Sequence, residues 1–124
     1  MEEPRHQNLR ERTKEFALRV IRLVEALPAT PTGKVVGNQV LRSATSVAAN
    51  YREASRARSD AELVAKLGLV EQELDETILW FELLADSDTV RPALMTELLD
   101  EADQLLRIVV ASIKTTKSRK HGGC

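Results

Sequence analysis

The sequence of 124 residues is poor in several residue types, and each scarcity excludes a class of protein. Cys124 is the only cysteine, so no disulfide can form within the chain and a free thiol is expected. The two histidines, His6 and His121, lie near the two ends of the sequence, where a metal site inside a helical bundle could not use them. We therefore expect no metal and no cofactor, and we expect a reducing compartment, the cytoplasm.

Aromatic residues and long apolar runs are also scarce. Phe16, Tyr51, Trp80 and Phe81 are the only aromatic residues, too few for a surface that reads single-stranded bases by stacking. No apolar run approaches the roughly 20 residues of a membrane span, and the charged N-terminal stretch does not resemble a signal peptide. The formal net charge is −1, which argues against a generally basic coat for nucleic acid. We expect no membrane partner, and any electrostatic function must come from local patches.

Four long segments have the apolar spacing of helices, and proline and glycine fall mainly between them. The segments span about residues 8–27, about residues 34–58, from Ser59 onward and from Pro92 onward. Ser59 and Glu62 are typical of a capping box, and no alternating pattern indicates a strand. The pattern predicts an all-α fold, an antiparallel up-down-up-down four-helix bundle. We expect one domain over residues 1–124, ordered over about 8–116, with a frayed basic tail at 117–124.

Both middle segments carry a second face besides the one expected to pack in the core. In the third segment, the core face has the heptad spacing that keeps one seam against a neighbouring helix. Behind it lies a largely apolar strip formed by Ala65, Leu69, Gln72, Glu76, Leu79, Trp80 and Leu83. In the second segment, the outer stripe is small in the middle and rich in arginine toward the ends: Asn38, Arg42, Thr45, Ala49, Arg52 and Arg56. Burying one leucine is worth roughly 1.5–3 kcal/mol, so such a strip indicates an interaction site.

The charges of the two middle segments are opposite. Residues 34–58 hold five basic residues and one acid, whereas residues 59–86 hold one basic residue and eight acids. We therefore hypothesise that the second helix of one subunit lies against the third helix of another, with Arg42 and Arg52 near Glu73 or Glu76, in a head-to-tail ring. The predicted interface consists of Asn38, Arg42, Thr45, Ala49, Arg52, Leu69, Glu76, Leu79, Trp80 and Leu83. The alternative is that these faces pack inside one bundle and that the charges are solvated or paired within the subunit.

Two basic clusters make nucleic acid a candidate partner. One lies in the second segment and one near the C-terminal end, comprising Arg42, Arg52, Arg56, Arg58, Lys114, Lys117, Arg119 and Lys120. Repetition around a ring would concentrate positive potential, and neutralising phosphates supplies most non-specific affinity. A solvated helix face remains the alternative.

Catalytic patterns are not found in the sequence. Ser43, Thr45 and Ser46 have no histidine base nearby, and hydroxyls in helices more often bond the carbonyl one turn back. No glycine-rich loop has the lysine and hydroxyl pattern of a phosphate cradle. We expect no enzymatic activity and no small-molecule substrate.

Gly68, inside the third segment, is expected at a close crossing with another backbone.

The run LRSATSVAANYREASRARS resembles the signature of the bacterial four-helix-bundle family encoded in intervening sequences of large-subunit ribosomal RNA genes. RERTKEFALRVIRLVEALP, AKLGLVEQELDETILWFELL and ASIKTTK are also similar to the family's pattern, so the resemblance covers residues 9–117. It implies a homopentamer without enzymatic activity. The family also looks related to accessory proteins of diversity-generating retroelements, to which an interaction with nucleic acid and a reverse transcriptase is attributed. A scaffold for protein partners, without nucleic-acid binding, is the alternative function.

Overall fold

The computed structural model describes residues 9–122, and for residues 120–122 it describes the backbone only. Its helices are α1 (Leu9–Glu25), α2 (Pro31–Ala54), α3 (Asp60–Asp86) and α4 (Pro92–Gly122). Each helix packs against the next one along the chain, and α1 contacts α4 to close the bundle. The predicted up-down-up-down four-helix bundle is confirmed, while His6 and Cys124 lie outside the described residues.

The helix ends are set by local caps. Thr30 Oγ1 accepts a hydrogen bond from the Gly33 amide at 3.0 Å, and Pro31 occupies the first turn, so α2 begins before the predicted residue 34. The helix ends at Ala54 rather than at Arg58, because the chain must turn before the next cap. Ser59 Oγ accepts from the Glu62 amide at 3.1 Å, which confirms the predicted cap. Glu62 reaches back one residue further than a standard capping box, to the Arg58 amide.

The core is aliphatic, with one aromatic contact at its centre. The Phe16 and Phe81 rings meet edge to face with centroids 6.0 Å apart. Around them lie the side chains that are almost fully shielded from solvent: Leu9, Val20, Val40, Val47, Val70, Leu74, Leu84, Met95, Leu105 and Val109. These residues come from all four helices, so one continuous core holds the bundle together.

A buried hydroxyl pair joins α2 and α3. Ser43 Oγ and Thr77 Oγ1 lie 2.7 Å apart, and Thr77 Oγ1 also donates to the Glu73 carbonyl at 2.7 Å. Ser43 Oγ lies 3.4 Å from the Val40 carbonyl, so each hydroxyl also has an acceptor on its own helix. The pair therefore adds a polar contact between α2 and α3 and leaves no buried hydroxyl without a partner.

Helix α4 is longer than the sequence suggests. It continues beyond Lys117 to Gly122, where a frayed tail was expected. Thr116 is buried, its Oγ1 donates to the Ser112 carbonyl at 2.8 Å, and the Arg119 guanidinium lies 3.0 Å from the Asp60 carboxylate. These contacts with its own turn and with α3 explain why the described part of the tail is helical.

Candidate nucleic-acid interface and subunit contact face

The outer face of α3, defined by Ala65, Leu69, Gln72, Glu76, Leu79, Trp80 and Leu83, is only partly covered by its own chain. Leu69, Leu79 and Leu83 are 42 %, 46 % and 41 % exposed. Trp80 is half-buried, packs against the edge of the core and donates its indole N–H to Glu76 at 3.2 Å. The predicted apolar strip therefore exists as surface, with its tryptophan partly anchored in the bundle.

The predicted outer stripe of α2 also faces solvent along much of its length. Asn38, Arg42, Ala49 and Arg52 are exposed, and Thr45 is half-buried with its hydroxyl on the Leu41 carbonyl at 2.8 Å. Because the side chains in the middle of this stripe are short, another helix could approach the α2 backbone closely. This geometry is compatible with a contact face between subunits, and the described chain leaves that face largely exposed.

Arg42 has ion-pair partners within its own chain. Its guanidinium pairs with Glu76 and lies 3.4 Å from Glu73, both on α3 of the same chain, and Gln39 accepts its Nε–H at 3.2 Å. Within the chain, the alternative arrangement is observed for Arg42, because the antiparallel register brings α2 and α3 together inside one bundle. A contact of Arg42 with the acids of another subunit stays a prediction. Arg52 has no acidic partner among the described residues.

Arg56 and Arg58 are not on the α2 stripe. Helix α2 has ended by Ser55, and both arginines lie exposed in the connection to α3. The connection is held by the Arg56 amide on the Glu53 carbonyl and the Ala57 amide on the Ala54 carbonyl. It brings the two guanidinium groups to the end of the bundle at which α4 finishes.

The fold separates the charges toward its two ends, although the chain as a whole is nearly neutral. We call residues 9–16, 47–72 and 107–122 the basic end, and residues 17–46 and 73–106 the acidic end. The basic end holds twelve basic and six acidic residues, and the acidic end holds five basic and eleven acidic residues. The basic residues of the basic end are Arg10, Arg12, Lys14, Arg52, Arg56, Arg58, Lys66, Arg107, Lys114, Lys117, Arg119 and Lys120.

Most of the predicted phosphate-binding residues are gathered at this basic end, and many are unpaired. Arg119 pairs with Asp60, Lys66 with Glu53, Arg107 with Asp103 and Arg12 with Glu101. The basic-end side chains that form no ion pair with a described residue are Arg10, Lys14, Arg52, Arg56, Arg58, Lys114 and Lys117. The Lys120 side chain lies outside the described part, and Arg42 lies at the acidic end.

Sequence reasoning missed Arg10 and Lys14, which join the cluster from α1. No signal within the first segment marks them, because acids and bases alternate there; their role depends on the antiparallel order that places the start of α1 beside the end of α2. Burial raises the pKa of the Tyr51 phenol above its ordinary value, and the charge of Arg10 offsets part of this rise. Tyr51 therefore remains a neutral phenol near pH 7.

The described residues also bear on metal sites and membrane spans. Within this part of the chain, no three His, Cys, Asp or Glu side chains gather in a way that could hold a metal ion. None of the described helices combines the length and the apolarity needed to cross a membrane.

Comparison with known proteins assigns the family. The sequence pattern of the family described as 23S rRNA-intervening sequence protein matches residues 5–111. A crystal structure of a Bacteroides thetaiotaomicron protein of unknown function from the S23 ribosomal protein family is similar, with a TM-score of 0.79 and 30 % sequence identity over 85 % of this chain and 97 % of that one. No protein with a curated function matches the sequence. The chain belongs to the 23S rRNA-intervening sequence protein family.

Proposed function

We propose that this protein is a non-enzymatic, homo-oligomeric bundle that binds RNA or DNA non-specifically through the phosphates, using its basic end. The observation that carries the proposal is the excess of basic residues at one end of a nearly neutral chain, with seven of the side chains free of acidic partners in the described structure. Phosphate neutralisation releases counterions and supplies most of the affinity of sequence-independent binding.

A net charge near zero argues against nucleic-acid binding, but the separation of the charges between the two ends removes this objection. A phosphate backbone at the basic end is repelled little by the acids of the other end, since a helix of 24 residues spans about 36 Å and the Debye length is only about 8 Å at physiological salt. The local field, not the total charge, decides such binding.

Assembly into a ring would multiply this field, and the family resemblance implies a pentamer. The partly exposed leucines on the outer face of α3 support self-association, because a monomer would leave this apolar strip in water. Since Arg42 is already paired within its own bundle, the proposed contact relies on packing of the leucines of the α3 outer face against the small middle of the α2 stripe, Thr45 and Ala49. Light scattering of the purified protein should give a multiple of the 13.8 kDa chain, with five copies expected.

Filter binding of a generic RNA across a salt series tests the proposed function. We expect retention at 50 mM salt and a steep loss of affinity as salt rises. The variant Arg52→Ala/Arg56→Ala/Lys117→Ala should flatten the slope of log K against log salt by about one per phosphate contact removed. The matched control, Arg22→Ala/Lys34→Ala/Arg91→Ala, removes the same charge from the acidic end and should bind like the wild type.

Two results would contradict the proposal: no retention of RNA at 50 mM salt, or equal losses in the two triple variants. The first would favour the second candidate, a scaffold for protein partners. That candidate rests on the exposed outer face of α3, which could bind a protein partner without any nucleic acid.

A further inference from the structure

A groove opens at the basic end between the last turn of α2, the start of α3 and the later part of α4. Its volume is about 520 Å³, within the range of about 300–1,000 Å³ typical of sites for organic ligands. The surface is largely apolar, with Leu67 at the bottom and Tyr51, Leu63, Ile108 and Ala111 along the sides. We call it the end groove.

Four of the seven α4 residues that line the end groove have small side chains, and the others are Arg107, Ile108 and Arg119. Ala111, Ser112, Thr115 and Thr116 line it where bulkier residues would have filled the space. In addition, Arg12 near the described start of α1 already lies beside Glu101 and Gln104, so the later part of α4 packs mainly on α3. The cavity thus comes from several small side chains and from the packing of α4 on α3, and not from a single missing side chain.

Guanidinium groups lie in and beside the end groove: Arg107 and Arg119 line it and pair with Asp103 and Asp60. A shallower depression adjoins it and shares Tyr51, Leu63 and Arg119, and Arg10 and Arg58 line this depression. Asp60 is the only described acidic residue there, and its carboxylate is neutralised by Arg119 at 3.0 Å. An apolar floor beside unpaired guanidinium groups suits a ligand that has a flat, weakly polar body and an anionic group next to it.

We infer that the end groove takes one unpaired base of a single-stranded nucleic acid, while the adjoining phosphates lie against Arg10 and Arg58; this inference rests on the proposed function. Bases removed from a stack are held between aromatic and apolar side chains, which Tyr51, Leu63 and Ile108 supply. Duplex bases cannot enter, since they remain stacked and paired. The protein therefore prefers single strands to duplexes without reading the sequence.

The contributions of the base and of the phosphates to binding can be measured separately with a matched set of labelled strands. Fluorescence anisotropy would compare a ten-nucleotide single-stranded RNA, an abasic strand of equal length and charge, and an RNA duplex. We expect the wild type to bind the base-bearing strand about tenfold more tightly than the abasic strand, which lies within the range measured for one stacked base.

The key variant is Ala111→Trp, which fills the end groove from an exposed position and leaves every charge in place. It should lose the tenfold preference while binding the abasic strand as the wild type does. Ala93→Trp makes the same substitution at an exposed alanine of the acidic end and should keep the preference. Ala111→Leu, a smaller change, should lose part of the preference, which keeps the test valid if the tryptophan variant folds poorly.

Several outcomes would overturn the inference. Equal affinity for the base-bearing and abasic strands, with binding still weakened by Arg52→Ala/Arg56→Ala/Lys117→Ala, would leave the proposed function standing and remove the base site. No binding of any strand would instead remove the proposed function. A lower melting temperature for Ala111→Trp than for Ala93→Trp, without a base preference in the wild type, would mean that the chain's own residues occupy the groove. A lower oligomer mass for Ala111→Trp, but not for Ala93→Trp, would mean that a second copy of the chain occupies the groove.

Discussion

Helix α3 has two apolar faces, and its own chain buries only one of them. On the inner face, Leu67, Val70 and Leu74 are at most 2 % exposed, because α2 and α4 pack against them. On the outer face, Leu69, Leu79 and Leu83 keep more than 40 % of their surface in solvent. Both sets are aliphatic, so what differs is the presence of a neighbouring helix. The comparison shows that the bundle is complete as a fold and still has apolar surface left for association.

The largest effect should come from placing charge on the outer face. We expect Leu69→Glu/Leu83→Glu to dissociate the proposed assembly, because the contact would lose the burial of the 42 % and 41 % of these side chains that is exposed in one chain, and two carboxylates would have to be desolvated. Light scattering should then give the 13.8 kDa of a single chain, with the helical circular dichroism unchanged.

The control for this variant is Leu94→Glu, which changes a leucine that is 61 % exposed and lies on α4 instead of the outer face of α3. It should keep the mass of the wild type. Dissociation by both substitutions would point to general charge repulsion, and dissociation by neither would exclude the outer face as the contact.

The next effect compares the same substitution on the two faces. Leu74→Ala should lower the free energy of unfolding by about 2–5 kcal/mol, because it removes a fully buried side chain and leaves a cavity. Leu79→Ala should lower it by less than about 1.5 kcal/mol in the separated subunit, since half of that side chain is already in water. Urea unfolding below the concentration of assembly measures both, and equal losses would contradict the assignment of the two faces.

Much of the fold could be predicted from the sequence because bundles follow local rules. The spacing of apolar residues predicted four helices, and the Ser59 cap and the Pro92 start of α4 are both observed. The end of α2 was placed too late, since Arg56 and Arg58 could continue the helical spacing, and only the turn into the Ser59 cap stops them.

The partners of individual side chains could not be predicted, because spacing along one helix does not say which helix lies beside it. Arg42 was expected to meet a neighbouring subunit, yet it meets α3 of its own chain. Gly68 was expected at a close crossing, but a Cβ there would have no atom of another element within 4 Å. The basic end also depends on register, since its residues come from all four helices.

The smallest effect tests the partner of Arg42 directly. Arg42→Ala should lower the free energy of unfolding by less than about 1 kcal/mol, because the guanidinium is 47 % exposed and ion pairs at such sites are weak and screened by salt. A double-mutant cycle with Glu76→Ala in urea measures the coupling, which should shrink in 1 M salt. The oligomer mass should not change, since the pair closes within one chain. A fall in mass for Arg42→Ala, with little loss of subunit stability, would instead return this arginine to the contact between subunits and make that contact electrostatic as well as apolar.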